Sequence, residues 1–420
     1  MPESRHARFH GPRIVAVAYL GHMVAVGCTL SIFSVFVKVV AEDFGASMQQ
    51  AGWGSSLLTL AMGTGSPFVG WLLARRSARS VMLAGALCLG LGLVLVSRAT
   101  QLWQLALLLS GMVGVGALMV GPLPSATMVA NWYVKRRGSM LGIAASGTTS
   151  ASLALPLLAA FLIEWVGWRT ALALIGVGAT TLVMPFLWIW AIDRPSRIGQ
   201  EADGLHLDRA APSPEPPTTP VGEILRNANF WLLGAIFGLL FAAGSVMLIF
   251  SVPYAIQLGL SLKFGAGLLA ARSLIGIVGK IALGTLTDHM DKRLVLWGTL
   301  GLESLFWVLL IRAPNVEVFV LASLAMGFFG GALLPIKGAI LGAVFGRPGF
   351  SQAMGLMNFS RLPFQILALP LAGWLYDRSG DYAIAFGVFL WGFAAAAVLV
   401  AFLRIPQFEP GAEPAAQPAT

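Results

Sequence analysis

The chain has 420 residues, 57 % hydrophobic and only 11 % charged, against about 25 % charged in an ordinary soluble domain. With a mean hydropathy of +0.81, that composition excludes a soluble globular protein. The net charge of +9 does not make nucleic acid a partner, because the bases sit in short loops between apolar runs.

In chain order, residues 1–13 form a short tail carrying Arg5, Arg8 and Arg13. The apolar run that follows exceeds the roughly 7–15 residues of a signal-peptide core, so it reads as a mature helix. Twelve runs are each long enough to cross about 30 Å of hydrocarbon as helix. They are 14–39, 51–74, 80–97, 102–131, 139–164, 169–192, 229–257, 264–287, 293–312, 316–345, 351–376 and 382–404. Residues 193–228 break the series: Pro195, Pro212, Pro214, Pro216, Pro217 and Pro220 with scattered charge mark a polar linker. The expected fold is therefore an all-α membrane protein, with a six-helix bundle over 14–192 and a second over 229–404. The tail 405–420, rich in Pro, Glu and Ala, reads as disordered.

Loop charge sets the orientation. Seventeen loop bases fall on the side of the N-terminus and six on the other, which places both termini and the linker in the cytoplasm. The two bundles also repeat. Gly70 and Gly284 are 214 residues apart, Gly142 and Gly355 are 213, and Pro156 and Pro370 are 214. So constant an offset points to a duplicated six-helix unit that rocks around a midplane site.

Four bases lie inside the apolar runs: Arg272, Lys280, Lys337 and Arg361. A base in hydrocarbon costs several kcal/mol unless it faces a cavity or a partner, so each is a candidate site residue. Glu303 is the one carboxylate near the middle of a run, and one acid cannot neutralise four bases. The first-half counterparts are neutral: Ser66 corresponds to Lys280, and Gly147 or Thr148 to Arg361. One half grips an anion and the other supplies hydroxyls and shape. Lys280 and Arg361 form the expected clamp, with Arg binding a carboxylate bidentately and Lys as a point charge. Lys337, toward the cytoplasmic end of its run, either joins the cavity or snorkels. Arg272 is either an outer-side gate or the partner of a loop acid. Tyr19 and His22 share one face of the first run; His22 either lines the path and relays a proton or is a packed histidine. Cys28 and Cys88 lack metal-site spacing and read as packing residues. No catalytic constellation, metal cluster or nucleotide loop appears, so neither an enzyme nor a cofactor is expected.

The segment Asn131-Trp-Tyr-Val-Lys-Arg-Arg-Gly-Ser-Met-Leu-Gly142, the run from Ser251-Val-Pro-Tyr254 to Gly259-Leu-Ser261, and Arg194-Pro-Ser-Arg-Ile-Gly199 carry a family likeness. The chain resembles the major facilitator superfamily, and within it the monocarboxylate transporter and oxalate/formate antiporter group. The resemblance implies a substrate-facing base at Lys280, a basic site residue at Arg361, and a conformational latch at Asp288, the acidic position of the superfamily's loop motif. Ala74 fills that position in the first half. The signs of drug–proton antiporters are missing: Leu107 stands where their arginine would, and Pro156 lacks their Gly-Pro-x-x-Gly-Gly run. The lysine that animal monocarboxylate transporters carry near the position of Ser31 is also absent.

The expected function is a secondary transporter of a small organic anion, a mono- or dicarboxylate, working by alternating access with proton symport or anion exchange. The alternative is an exporter of amphipathic compounds on the same fold. The expected setting is a monomer in a bacterial inner (plasma) membrane.

Overall fold

The computed structural model describes residues 9–46, 48–204, 219–313 and 315–405; the expected disordered tail from 406 lies outside them. The described residues are helical nearly throughout, in ten continuous apolar stretches long enough to cross a membrane. Two stretches are double length. The helix Arg137–Trp190 has 54 residues, about 81 Å at 1.5 Å per residue, far beyond about 30 Å of hydrocarbon. It breaks at Gly167, whose φ of 76° lies in the left-handed region. The second is interrupted likewise at Gly346, φ 62°. Glycine tolerates that conformation because it has no Cβ to clash. The helical hydrogen-bond pattern resumes directly after each break, so ten stretches make twelve crossing segments.

We number these α1 (11–43), α2 (Met48–Arg75), α3 (Ala78–Val96), α4 (102–132), α5 (137–166), α6 (168–190), α7 (Ala228–Gln257), α8 (Leu262–His289), α9 (Lys292–Ile311), α10 (316–345), α11 (347–379) and α12 (Tyr382–Ala401). They follow the twelve runs read from the sequence, with ends a few residues apart; α1 begins at Gly11 rather than 14.

Three segments are irregular. α1 and α4 contain π-helical turns at Gly27–Ser31 and Leu109–Gly114. Segment α4 also bends at Gly121, ψ −143°, because the residue before Pro122 is disfavoured in the α region. α11 has a joint at Arg361, where Pro363 removes a backbone donor.

The helices approach closely through small residues, which is what association in lipid requires. A Cβ added at Gly116 of α4 would meet the backbone of Leu89 in α3, and one at Gly279 of α8 the backbone of Phe328 in α10. Larger side chains close the remaining gaps. The Trp307 Nε1 of α9 donates to the Phe386 carbonyl of α12 at 3.0 Å.

The linker is more ordered near its start than its composition suggested. Residues Pro195–Ile198 and Ala202–Gly204 form 3-10 turns. Asp203 accepts the backbone N–H groups of Val134 and Lys135 at 3.0 and 2.8 Å. Burial, and then the Asp203 carboxylate, push the Tyr133 phenol up to about 12.

Candidate functional site

The two halves meet tightly near the linker. A Cβ at Gly355 of α11 would stand 2.6 Å from the Ser66 carbonyl oxygen of α2, and one at Gly70 would stand 2.7 Å from the Ser351 carbonyl oxygen. Helices α5 and α8 touch in the same way, Gly142 facing the Lys280 carbonyl and Gly284 facing Gly138. At the end of α8, Asp288 crosses between the halves. It accepts the backbone N–H of Gly138 at 2.6 Å and of Ser139 at 2.8 Å, and the Ser139 hydroxyl at 2.6 Å. A carboxylate there satisfies first-turn donors of α5 and complements the positive end of its dipole.

Above this contact lie the buried bases. Lys280 is 7 % exposed and turns toward α5. Its ammonium donates to the Thr149 hydroxyl at 2.6 Å, the Thr148 hydroxyl at 2.7 Å and the Ala145 carbonyl at 3.2 Å. Three donors thus meet three neutral acceptors, and all three belong to the opposite half.

Lys337 and Arg361 form a second group. Both stand against the ring of Phe241 in α7, Arg361 Cζ at 4.7 Å and Lys337 Nζ at 5.5 Å from its centroid. The two bases act on each other electrostatically. Lys337 is 1 % exposed and donates to Asn358 Oδ1 at 3.0 Å; Asn358 Nδ2 in turn donates to the Ser66 hydroxyl at 3.1 Å across the halves. The Nε of Arg361 is buried without a hydrogen-bond partner. Neither base makes an ion pair with a described acid. Like charges held together in apolar surroundings repel strongly, and a bound anion would relieve that repulsion.

Of the expected clamp, then, Arg361 is grouped with Lys337, while Lys280 is held by α5 and shares no hydrogen-bond partner with Arg361. His22 stands beside the Lys280 group: Lys280 acts on it electrostatically, and a Cβ at Gly147 of α5 would meet its Cβ at 3.3 Å. The His22 Nδ1 lies 2.9 Å from the Ala18 carbonyl. A carbonyl only accepts, so Nδ1 carries a proton. Tyr19 is half-buried and packs its carbonyl on Gly147; its hydroxyl has no hydrogen bond to a described residue. Arg272 lies apart, interacting with Glu303 of α9 rather than with a loop acid.

Sequence reasoning passed over Phe241, Asn358 and Thr149. Asn358 had a legible signal, being a polar residue three positions before Arg361 and so on its face. An aromatic in an apolar run, like Phe241, gives none. The first half holds a separate cavity of about 350 Å³ lined by Cys28, Phe33, Phe36, Leu58, Trp103 and Val113, among others. Both π-helical turns border it.

Comparison with known proteins gives a consistent answer. The family model described as Major Facilitator Superfamily matches residues 19–302 and 266–419. Monocarboxylate transporter 12 of Xenopus laevis is 27 % identical over 400 residues, covering 87 % of this chain and 85 % of that protein. Monocarboxylate transporter 11 of Mus musculus is 29 % identical over 358 residues, covering 83 % and 77 %. Among solved structures, a single-residue variant of the E. coli fucose:proton symporter FucP superposes with a TM-score of 0.68 at 14 % identity, covering 95 % of this chain and all of that one.

Proposed function

The chain belongs to the Major Facilitator Superfamily and is related within it to the monocarboxylate transporters; on that footing we propose that it carries a small organic anion, a mono- or dicarboxylate, by alternating access. It is a multi-pass secondary transporter and not an enzyme. The observation that carries the anion reading is the Arg361–Lys337 pair on Phe241, a buried lysine and a half-buried arginine with a buried Nε, neither paired with a described acid. An arginine with an unpartnered Nε binds a carboxylate bidentately, and a lysine beside it adds a point charge. Lys280 contributes from α8, exchanging its threonine partners for the anion as the halves move. His22 and Tyr19 border the path on α1.

The two bundles, 14–192 and 229–404, are the moving bodies in this reading, and 193–228 joins them. All the cross-half contacts named above lie in the linker-side half of the helices, so in this reading the linker side is the closed one. The loop-charge bias makes the linker side cytoplasmic, with both termini. The monocarboxylate transporters named above are vertebrate proteins and lend no support to the bacterial inner membrane expected from the sequence. We take the protein to act as a monomer, with the proton or a second anion as the coupled species.

The test is a thermal-shift screen of purified protein against pyruvate, lactate, oxalate, malonate and succinate, since a ligand that binds only the native state raises apparent stability. At least one should stabilise the wild type; no shift with any of them, or with further small carboxylates, counts against the reading. A second reading, export of amphipathic compounds, draws on the apolar cavity of about 350 Å³ in the first half. Transport of an uncharged hydrophobic dye, uncompeted by small carboxylates, would favour it.

A further inference from the structure

Glu303 of α9 is 2 % exposed, and its Oε2 is buried without a hydrogen-bond partner. It is the one acid near the middle of a crossing segment. A carboxylate in that position is costly unless its charge is compensated. The group that acts on it is Arg272 of α8, with neither a direct ion pair nor a hydrogen bond between them.

The space between the two side chains is built by α10. A Cβ at Gly327 would stand 2.5 Å from Arg272 Cγ, and a Cβ at Gly330 would stand 3.2 Å from Glu303 Oε1. The two glycines are three residues apart and share one helix face. Larger residues there would crowd both side chains. Among the described residues no other charge acts on Glu303. The ionisable groups of α10 are Glu317, near its start, and Lys337, whose ammonium is on Asn358. Helix α12 meets α9 through Phe386 and Phe393 and has no ionisable side chain beyond Tyr382. On α9 itself, Lys292, Arg293 and Arg312 lie at the ends; on α8, Lys280 points to α5, while Lys263, Asp288 and His289 are near the ends.

We propose that Glu303 is the binding site of the coupling proton, making the protein a proton–anion symporter; this rests on the anion reading above. The proton adds to the carboxylate to give the carboxylic acid, and no other bond changes. With the proton absent, Arg272 compensates the Glu303 charge. With the proton bound, Arg272 is released from that task. Arg272 and Lys280 lie eight residues apart on α8, about 12 Å along the axis. A change at the acid therefore reaches the Lys280 contacts through one rigid helix.

Two measurements test this. Infrared difference spectroscopy of the reconstituted wild type, titrated with acid, should show the C=O stretch of a protonated carboxyl that is missing from Glu303→Gln. The same band in both proteins, or in neither, overturns the proposal. In proteoliposomes, uptake of the five-carboxylate panel under an inward proton gradient is compared with exchange at equal pH. Glu303→Gln should lower gradient-driven uptake more than exchange, by about tenfold or more, within the usual range of coupling between sites. Glu303→Asp should recover part of the gradient response. Equal loss of both activities in Glu303→Gln overturns the proposal. Should the wild type move no panel carboxylate at all, the anion reading fails on its own, and the infrared band still decides Glu303.

Discussion

The Lys280 ammonium donates to the Thr148 hydroxyl at 2.7 Å, and the two residues lie in opposite halves of the transporter. Thr148 stands in the first half where Arg361 stands in the second, 213 residues on. A position that carries a base in one half thus supplies a neutral acceptor in the other. The bond ties α5 to α8; under the proposed function, anion capture by Lys280 and opening of the linker side compete for one ammonium group.

Replacing Thr148 and Thr149 together by Val leaves Lys280 with one of its three acceptors. A hydrogen bond to a charged group contributes about 1.5–3 kcal/mol, so the closed state should lose population. Spin labels at Arg76→Cys and Asp291→Cys, with Cys28 and Cys88 replaced by Ala, report the separation of the halves on the linker side. The double valine variant should shift that distance distribution toward longer values; an unchanged distribution removes Lys280 from the gate.

Under the proposed function Asp288 acts on the same equilibrium from the end of α8. Asp288→Asn keeps the shape but removes the charge that faces the first-turn N–H groups of α5. Turnover should fall, and the same spin pair should again report longer distances. Binding affinity should change only through the state populations, because the residue does not touch the site. Wild-type uptake and exchange in this variant would remove the latch.

The closed state also needs bare backbone at Gly355, where a Cβ would stand 2.6 Å from the Ser66 carbonyl oxygen. Gly355→Val should therefore fold and bind yet fail to close on the linker side. The expected readout is a folded, monodisperse protein with transport lost and cysteine labelling at linker-side positions increased. Normal transport by this variant would contradict the α2–α11 contact.

Much of this was legible in the sequence. Helix number and the four mid-run bases follow from hydropathy, and the acid at Asp288, which crosses between the halves, stands out by motif. Ser66 was marked as the neutral counterpart of Lys280, and Gly147 or Thr148 as that of Arg361; Ser66 and Thr148 sit against the basic groups. What was not legible is direction. Periodicity places Lys280 in mid-membrane but cannot say that its ammonium turns to α5 rather than toward Arg361. That depends on Gly142 and Gly284 letting α5 and α8 approach, a contact between distant segments. Pairing of Lys337 with Arg361 depends in the same way on a shared aromatic in α7. The order of residues 195–204 was missed because Pro, Gly and charge read as linker, whereas Asp203 docks on backbone donors of another loop.

The central claim is that the buried bases bind a carboxylate, and affinity measured on single-base variants tests it most directly. Calorimetric binding of the panel carboxylate that most stabilises the wild type is compared in Arg361→Gln, Lys337→Gln and Lys280→Gln, each checked for folding. Truncating one partner of a buried charge pair costs about 2–5 kcal/mol, so Arg361→Gln should lose binding by that amount. Lys337→Gln should weaken it as well, and Lys280→Gln should too, with Lys280→Arg a poor substitute. Wild-type affinity in all three Gln variants would contradict the account.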